Sequence, residues 1–328
     1  MKERDVIEVN HLNKTFKIKH KAAGFLGSVK SLFKPNITEI KAVDNISFNI
    51  KQGEIVAFIG PNGAGKSTTI KILTGILFPT SGQVKIAGFV PWEERTKLSY
   101  KIGSVFGQKP QLWYHLPAID TFNLFSKIYE LDEREYKSRL NYLVKIFEIN
   151  DLLDIPVRRL SLGQRMKCEI VASLLHRPEI LLLDEPTIGL DIIAKQKIRE
   201  LIRELNKKEK VTILLTSHDT QDIENLCKRI IIINHGRIVY DGEVESLNKE
   251  YLKSKIISVK FENPFKSFSL SGVKILKSEE YFASFEIDLT KISVKEFIDF
   301  IIKKCSILDI NISGTPIEEV ITKIYQQK

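Results

Sequence analysis

The sequence has few cysteines and no long apolar run. Its three cysteines, Cys168, Cys227 and Cys305, lie far apart, and none belongs to a CxxC pair or a cysteine–histidine cluster. This pattern indicates neither a zinc site nor a disulfide framework, and it favours reduced thiols in a cytosolic protein. No stretch approaches the roughly 20 apolar residues of a membrane-spanning helix, and the N-terminus, MKERDVIEVN, lacks the apolar core of a signal peptide. We therefore expect any role at a membrane to depend on a partner chain.

The composition is that of an ordinary globular protein. The chain has 328 residues, of which 43% are hydrophobic and 28% are charged. This balance excludes intrinsic disorder, collagen and a disulfide-stapled miniprotein, and the length allows about two domains. There are 50 Lys and Arg against 41 Asp and Glu, a net charge of +9. The excess favours an anionic partner without distinguishing nucleotide, nucleic acid or lipid headgroup.

The order of apolar segments predicts a parallel sheet. A strand over Glu54–Ile59 runs through a glycine-rich turn into a helix over Lys66–Thr74. The apolar runs Ile180–Leu183 and Val211–Leu215 flank a charged helix over Ile192–Asn206, which is a βαβ unit with a sheet buried on both faces. The remaining predicted strands of this part are Val6–Val9, Thr15–Ile18, Ile46–Ile50, and a hairpin of Ile230–Ile233 and Arg237–Tyr240.

Two domains are expected. Residues 1–245 form the first, with helical periodicity from Ile119 to His176 that predicts a helical subdomain over about 110–177. Residues 246–328 form a small α+β domain with no recognisable chemical motif. Its role is open between dimer stabilisation, ligand sensing and a structural cap, and we prefer the structural or dimer-contact roles. Its predicted elements are strands over Ile256–Phe261, Tyr281–Ile287 and Leu308–Ile312 and helices over Val294–Lys303 and Pro316–Tyr325.

A phosphate-binding loop (P-loop) lies between the first predicted strand–helix pair. Residues 60–67, GPNGAGKS, fit the pattern GxxxxGK[ST] in the context that the motif requires. Glycines let successive N–H groups point at a phosphate, and the helix N-terminus adds its positive dipole end. Lys66 is then placed to reach the β- and γ-phosphates and Ser67 to ligate Mg²⁺. The alternative, a chance glycine-rich turn, is disfavoured by the full motif, and the spacing is not that of a dinucleotide site.

A pair of acids supports this interpretation. Asp184 and Glu185 directly follow the apolar run Ile180–Leu183. In a parallel sheet the carboxyl ends of the strands line the ligand crevice. Asp184 is therefore expected to hold Mg²⁺ through water, and Glu185 to polarise a water for in-line attack on a phosphate. Without the P-loop, the same two acids would be read as a helix cap or a solvated turn.

Five further elements, in the same order and spacing, resemble the ATP-binding cassette (ABC) ATPase family over about residues 5–245. The resemblance implies a P-loop ABC cassette fold, with a parallel-sheet core, an antiparallel β subdomain and a helical subdomain. The matching elements are Phe16, Gln108 in FGQ, the signature LSLGQR over 160–165, the D-loop Gly189-Leu190-Asp191, and His218 in TSHD.

The resemblance also implies a role for each matched residue. The aromatic at 16 would stack on adenine, the glutamine would link Mg²⁺ to a membrane partner, and the histidine would act as the switch residue. The implied catalytic residues are Lys66, Gln108, Glu185 and His218, and the implied metal contacts are Ser67, Gln108 and Asp184. The implied ATP contacts are Phe16, Gly60, Pro61, Asn62, Gly63, Ala64, Gly65, Lys66, Ser67, Thr68, Ser161, Gly163, Gln164 and Asp191.

The signature departs from the family's usual LSGGQ, because Leu162 stands at the first glycine. Ser161 and Gly163 remain, so a hydroxyl and an N–H at a helix start are still available, and the helix is expected to run from Gln164 to about His176. This signature, together with the segment QKPQLW over 108–113, resembles the ATPase subunits of ABC-2-type bacterial exporters.

The resemblance implies a motor subunit that binds ATP and Mg²⁺ and works in a head-to-tail dimer with a second cassette. Its other partners would be integral-membrane permease subunits, and it would be cytoplasmic and peripheral on the inner face of the cell membrane. The competing function is a soluble ABC-type ATPase acting on ribosomes or nucleic acid, which the basic charge superficially favours. One P-loop, one signature and no long insertion argue against it, so we expect no nucleic-acid partner.

Several residues have plainer alternatives. Phe16 could be an ordinary core aromatic and His218 a buried structural histidine. Trp113 and Tyr114 could be core residues or contacts for the membrane partner, with the neighbouring prolines favouring a loop.

Most of the net charge is local. Residues 14–34 hold six lysines and no acid, whereas residues 246–328 hold 13 basic and 11 acidic side chains. Apolar residues recur at helical spacing within the basic segment, so it could be an amphipathic helix near anionic lipid or a solvated hairpin insertion. These apolar residues are Phe25, Leu26, Val29, Leu32 and Phe33.

Overall fold

The chain divides into two compact units, Met1–Asp241 and Gly242–Lys328, each with its own buried apolar cluster. The computed structural model describes residues 4–20, 36–107, 109–251, 254–314 and 317–326.

A six-stranded sheet is the centre of the first unit. In spatial order its strands are β5 (Ile102–Phe106), β6 (Ile180–Asp184), β7 (Thr212–Thr216), β3 (Ile55–Ile59), β8 (Arg229–Asn234) and β9 (Arg237–Glu243). Neighbouring strands from β5 to β8 in this order pair in parallel. Every residue of β7 is buried, as is Ile180–Leu183 in β6, so the sheet predicted to be covered on both faces is confirmed. The strands of this unit are β1 (Asp5–His20), β2 (Asn36–Lys51), β3 (Ile55–Ile59), β4 (Ser81–Ile86), β5 (Ile102–Phe106), β6 (Ile180–Asp184), β7 (Thr212–Thr216), β8 (Arg229–Asn234) and β9 (Arg237–Glu243).

A second, antiparallel sheet has the order β2-β1-β4. The two short strands predicted over Val6–Val9 and Thr15–Ile18 are one continuous strand, β1. The polar residues between them interrupt the alternating pattern, and the ladder shifts register there. Side chains maintain the pairing across this irregularity: the His11 N–H donates to Ser47 Oγ at 2.8 Å, and the Asn45 N–H donates to Asn13 Oδ1 at 2.9 Å.

The predicted helical region lies between β5 and β6 and contains three α-helices. The last two are joined by residues 148–161, which include two short 3-10 helices, Asn150–Leu152 and Val157–Arg159. A partly buried ion pair ties it to the helix Ile192–Glu209 that covers the sheet: Arg139 donates to Glu209 at 2.7 and 2.9 Å. Arg139 also donates to the Leu174 carbonyl within the helical region at 3.1 Å. The helices of the first unit are α1 (Lys66–Leu73), α2 (Arg95–Ser99), α3 (Ala118–Ile128), α4 (Glu133–Phe147), α5 (Leu162–Leu174), α6 (Ile192–Glu209) and α7 (Thr220–Leu226).

The second unit is an antiparallel four-stranded sheet of order β11-β12-β10-β13, with a helix packed on it through Phe297 and Ile301. The strand Val273–Glu279 was not predicted, because as an edge strand it is largely exposed and carries charges within its apolar pattern. The elements are α8 (Val244–Tyr251), β10 (Ser254–Phe261), β11 (Val273–Glu279), β12 (Phe282–Asp288), α9 (Val294–Lys304), β13 (Ile307–Gly314) and α10 (Ile317–Gln326).

In the part of the chain that the structure describes, every helix is too short or too polar to cross a bilayer.

The three cysteines are free, and two of them are buried. Burial raises the pKa of Cys168 to about 12, so its thiol is unreactive at neutral pH.

The basic segment lies mostly outside the described residues. This holds for the predicted helix containing Phe25, Leu26, Val29, Leu32 and Phe33. The beginning of the segment belongs to β1, where Lys17 forms an exposed ion pair with Glu39 at 3.1 Å.

His176, just after α5, gives a pH-dependent contribution to stability. Its ring stacks on Tyr129 with centroids 4.0 Å apart, and Nε2 lies 2.9 Å from the Ile102 carbonyl. Burial lowers the pKa of His176 from 6.5 to about 4, so the ring is neutral in the folded protein at neutral pH. Because the unfolded chain takes up a proton below pH 6.5, the free energy of unfolding falls as the pH drops from about 6.5 to about 4.

We expect this histidine to account for about 2 kcal/mol of stability lost between pH 7 and 4.5. The substitution His176→Phe should lower stability at pH 7, because the Ile102 carbonyl loses its donor, but should flatten the decline with pH. Urea unfolding followed by fluorescence at each pH tests this, since both tryptophans, Trp92 and Trp113, lie in the first unit. The exposed His115→Phe is the control, and parallel curves for wild type and His176→Phe would contradict the assignment.

Candidate functional site

The P-loop connects β3, near the middle of the sheet, to α1. At two positions of the loop only glycine fits, because there is no room for a Cβ atom. A Cβ at Gly60 would lie 2.1 Å from the Ile233 carbonyl oxygen, and one at Gly65 would lie 2.3 Å from that of Ala42. Gly65 also has φ +109 as the N-cap of α1, a conformation that other residues rarely adopt. The loop therefore stays close to the sheet. Apart from the Ala64 N–H, which donates to the Pro61 carbonyl at 3.1 Å, its N–H groups can face a ligand.

An open cleft of about 160 Å³ lies over this loop. The structure thus brings Glu185, which is 118 or more residues further along the chain, against the phosphate-binding residues. The lining residues are Ala42, Asn62, Gly63, Ala64, Gly65, Lys66, Ser67, Thr68 and Glu185.

Lys66 is held by its own loop. Its side chain is only 6% exposed, and Nζ donates to the carbonyl oxygens of Gly60 at 2.5 Å and Pro61 at 3.2 Å. Burial lowers the pKa of Lys66, while the carboxylates of Glu185 and Asp184 oppose that shift. Neutral carbonyls are weaker partners for an ammonium than phosphate oxygens are, so a bound phosphate can replace them.

The two carboxylates have different surroundings. Asp184 ends β6, and its Oδ1 accepts from Thr216 Oγ1 at 2.6 Å. Glu185 has φ +56, and its N–H donates to the Thr216 carbonyl at 3.1 Å and Oγ1 at 3.0 Å. These bonds hold a backbone conformation that costs about 1–3 kcal/mol for a residue with a Cβ. The strained turn separates the two side chains, so that Asp184 stays on the strand end while Glu185 enters the cleft.

His218 lies on the loop between β7 and α7. Its Nε2 is 3.1 Å from Glu185 Oε1, and its side chain is 47% exposed. The alternative of a buried structural histidine is therefore wrong. The imidazole is placed beside the acid that lines the cleft, where it can hold that carboxylate or a group bound to it.

The oxygen donors fit a magnesium ion. Ser67 lines the cleft and Asp184 ends the neighbouring strand, and hydroxyl and carboxylate oxygens are the donors that Mg²⁺ takes together with substrate phosphates. Among the described residues, no three His, Cys, Asp or Glu side chains are arranged to hold a metal by themselves. Such a site suits an ion that arrives with a nucleotide.

A buried acid that the sequence analysis did not identify connects the two catalytic loops. Asp222, in the first turn of α7, is fully buried. Its Oδ2 accepts from Thr187 Oγ1 at 2.5 Å and from Ser217 Oγ at 2.6 Å, and its Oδ1 accepts from Arg199 Nε at 2.6 Å. One carboxylate thus joins the loop after β6, the loop before His218 and helix α6. A lone acid in a helix start has no sequence signal that would have revealed this role.

The signature motif begins α5. Ser161 is its N-cap: its Oγ accepts from the Gln164 N–H at 3.2 Å, while Gln164 Oε1 accepts from the Ser161 N–H at 2.9 Å. This capping box starts the helix at Leu162 and it ends at Leu174, so the predicted span of Gln164 to about His176 was wrong at both ends. Gly163 is also packed closely, since a Cβ there would lie 3.0 Å from Ala194 Cβ.

The signature residues are not among the described residues that line this cleft. Ser161, Gly163 and Gln164 are absent from the described lining of the cleft. Asp191 is absent as well; it caps α6, where its Oδ1 accepts from the Ala194 N–H at 2.9 Å. One chain therefore assembles the P-loop with Glu185 and His218 and leaves the signature elsewhere.

The remaining predicted residues are Phe16 and Gln108, together with the aromatic pair Trp113 and Tyr114. Phe16 is on β1, 37% exposed, with Lys14 Nζ 5.2 Å from its ring centre, so it is not a core aromatic. Gln108 lies outside the described residues; its neighbour Gly107 donates its N–H to the Asp184 carbonyl at 2.9 Å. Trp113 and Tyr114 are 50% and 53% exposed, so their core alternative is also wrong.

Comparison with known proteins agrees with this geometry. The sequence profile of the family described as "ABC transporter" matches residues 43–188. The chain is 36% identical over 208 residues to the ABC transporter ATP-binding protein NatA of Bacillus subtilis, covering 63% of this chain and 84% of that one. It is 35% identical over 219 residues to the bacitracin transport ATP-binding protein BcrA of Bacillus licheniformis, covering 66% and 70%.

Among solved structures, the chain is similar to a dimeric post-hydrolysis state of the ATP-binding cassette MJ0796 bound to ADP and Pi. The TM-score is 0.61 at 27% identity, and the match covers 73% of this chain and 98% of that one. The match therefore includes nearly the whole of that cassette.

The role of Asp222 can be tested by Asp222→Asn. Removing the charge leaves the buried Arg199 without its closest counter-charge, and breaking a buried pair costs about 3–5 kcal/mol. We expect reduced stability in urea unfolding and slower ATP hydrolysis, because Thr187 and Ser217 lose their shared acceptor. The exposed Asp154→Asn serves as the control. Wild-type stability and turnover in Asp222→Asn would show that this carboxylate does not organise the loops.

Proposed function

This chain belongs to the ABC transporter family, and we propose that it is the ATP-hydrolysing motor subunit of a membrane exporter. The observation that carries the proposal is the juxtaposition of Glu185 and His218, 3.1 Å apart, at a cleft formed by the P-loop. A relative named Nod factor export ATP-binding protein I, from Sinorhizobium fredii and 33% identical over 230 residues, supports the direction of transport. ATP is then the anionic ligand that the basic composition indicated.

The catalytic roles follow from the placement of the side chains. The N–H groups of residues 62–68 and the Lys66 ammonium bind the nucleotide's phosphates, which places charge stabilisation where charge develops. Glu185 accepts the proton of the attacking water as general base. His218 keeps that carboxylate oriented, and Ser67 and Asp184 would hold Mg²⁺. When bound, the ion would neutralise charge on the transferring phosphoryl group.

A second cassette completes the site. We propose that Ser161 of one chain faces the P-loop of another, so that two ATP molecules lie between two chains arranged head to tail. The support is the capped N-terminus of α5, which carries a hydroxyl and the positive end of the helix dipole but does not line the cleft of its own chain. The remaining ATP contacts proposed are Phe16, Gly163, Gln164 and Asp191, with Gln108 linking the site to the permease.

The membrane partner is proposed to be one or more integral-membrane permease subunits, with this chain peripheral on the cytoplasmic face. The exposed aromatic pair Trp113 and Tyr114, on the segment after Gln108, is the candidate contact. The proposed domain limits are 1–245 for the cassette and 246–328 for an accessory domain.

The substitution Glu185→Gln tests the site. Removing the general base should lower the rate of ATP hydrolysis about 10²–10⁴-fold while leaving ATP bound. Because the nucleotide then persists between two chains, light scattering should show an ATP-dependent dimer. The exposed Glu93→Gln is the matched control and should behave as wild type.

If Glu185→Gln hydrolysed ATP at the full rate and formed no ATP-dependent dimer, the assignment of this acid and the head-to-tail arrangement would both fail.

The class of partner can be tested in one fractionation. The exporter proposal predicts that the tagged chain is recovered with multi-span membrane proteins from detergent extracts and does not sediment with ribosomes. A soluble ABC-type ATPase of translation would give the reverse distribution.

A further inference from the structure

Glu169 is a buried carboxylate that the proposed chemistry does not use. It lies on α5 and is 3% exposed. Its acceptors are occupied by main-chain donors: the Gln111 N–H lies 3.0 Å from Oε2 and 3.2 Å from Oε1, and the Leu112 N–H lies 3.4 Å from Oε1. No cation in the described parts of the chain is within ion-pairing distance of it. Burying a carboxylate is costly, and the two backbone N–H groups, helped by the charge of Arg165 one turn away, offset that cost.

The loop that Glu169 holds has further contacts with the protein interior on one side, and its other side is exposed to solvent. We name residues 109–116 the aromatic loop. Gln111 Nε2 donates to the Ser104 carbonyl at 2.5 Å, and Leu112 is 3% exposed. The two residues that follow, Trp113 and Tyr114, have half of their surface in solvent. The loop is thus anchored from behind and presents aromatic rings outward.

The anchor and the signature belong to the same helix. Glu169 lies eight residues after Ser161, which is about 12 Å along α5. The intervening turns are packed against the protein, with Met166 and Cys168 buried. A rigid helix therefore connects the hydroxyl proposed to face ATP with the carboxylate that holds the aromatic loop.

We propose that Glu169 is a positioning residue that makes the aromatic loop and the signature end of α5 move as one body. Nucleotide captured at Ser161 then displaces Trp113 and Tyr114 through this contact, in parallel with the Arg158 N–H, which donates to the Tyr114 carbonyl at 2.9 Å. The inference rests on the proposed function and adds to it a residue that touches neither the nucleotide nor the permease.

Trp113 can report this coupling directly. The chain has two tryptophans, so Trp92→Phe leaves Trp113 as the single fluorophore, and Glu185→Gln keeps ATP bound. In this parent, adding ATP and Mg²⁺ should change Trp113 emission and its quenching by acrylamide. With Glu169→Gln added, the response should shrink about twofold or more while ATP affinity is unchanged, because this variant weakens one link to the loop and leaves the nucleotide site intact.

Hydrogen exchange tests the anchor without nucleotide. The amides of residues 111 and 112 should exchange about tenfold faster in Glu169→Gln than in the parent, because they lose charged acceptors. The exposed Glu135→Gln, on α4, is the matched control. Glu169→Asp retains the charge but shortens its reach, so an intermediate effect is expected, and it replaces the glutamine variant if that one does not fold.

The two proposals fail in different ways. If the parent neither binds ATP nor dimerises, the proposed function is wrong. If the parent does both, but Trp113 does not respond or responds equally in Glu169→Gln, only the role of Glu169 is overturned. Unchanged exchange at residues 111 and 112 overturns it as well.

Discussion

The site depends on the parallel register of the central strands. Phe106, Asp184 and Thr216 lie side by side at the carboxyl ends of β5, β6 and β7. Within two residues of these positions the chain places Gln108, Glu185 and His218, and the next strand in the sheet, β3, leads into the P-loop. Because parallel strands end at the same edge of the sheet, residues that are far apart in the sequence come together there. The backbone ladder thus determines where the chemistry occurs.

Around this edge, buried polar contacts determine how the loops are held. Asp222 joins the loop after β6 to the loop before His218, and Glu169 joins α5 to the aromatic loop. Asp222 accepts hydrogen bonds from three side chains and Glu169 from two backbone N–H groups, so each buried carboxylate fixes several donors at once. The first contact serves the chemistry of one chain. The second extends from the signature helix towards the surface where we propose that a membrane partner binds.

Much of this could be predicted from sequence and some could not. The P-loop, the acid pair and the strand–helix order are local patterns, and the structure places Lys66 and Glu185 together at one cleft, as the two motifs suggested. The continuity of β1 was missed because side-chain hydrogen bonds carry the ladder across polar residues. The contact from Thr187 to Asp222 spans 35 residues and that from Gln111 to Glu169 spans 58. Such pairs form because folding buries residues from distant parts of the chain together, and the local periodicity of the sequence does not predict them.

The central claim is that one chain carries two halves of different sites, a P-loop half and a signature half. It is tested most directly by mixing two inactive variants, Lys66→Ala, which retains the signature, and Ser161→Arg, which retains the P-loop. In a head-to-tail dimer of the two, one of the two composite sites is intact. The account predicts that each variant alone hydrolyses almost no ATP and that the mixture regains activity. A mixture as inactive as its components, or a Ser161→Arg chain that is fully active alone, would contradict it.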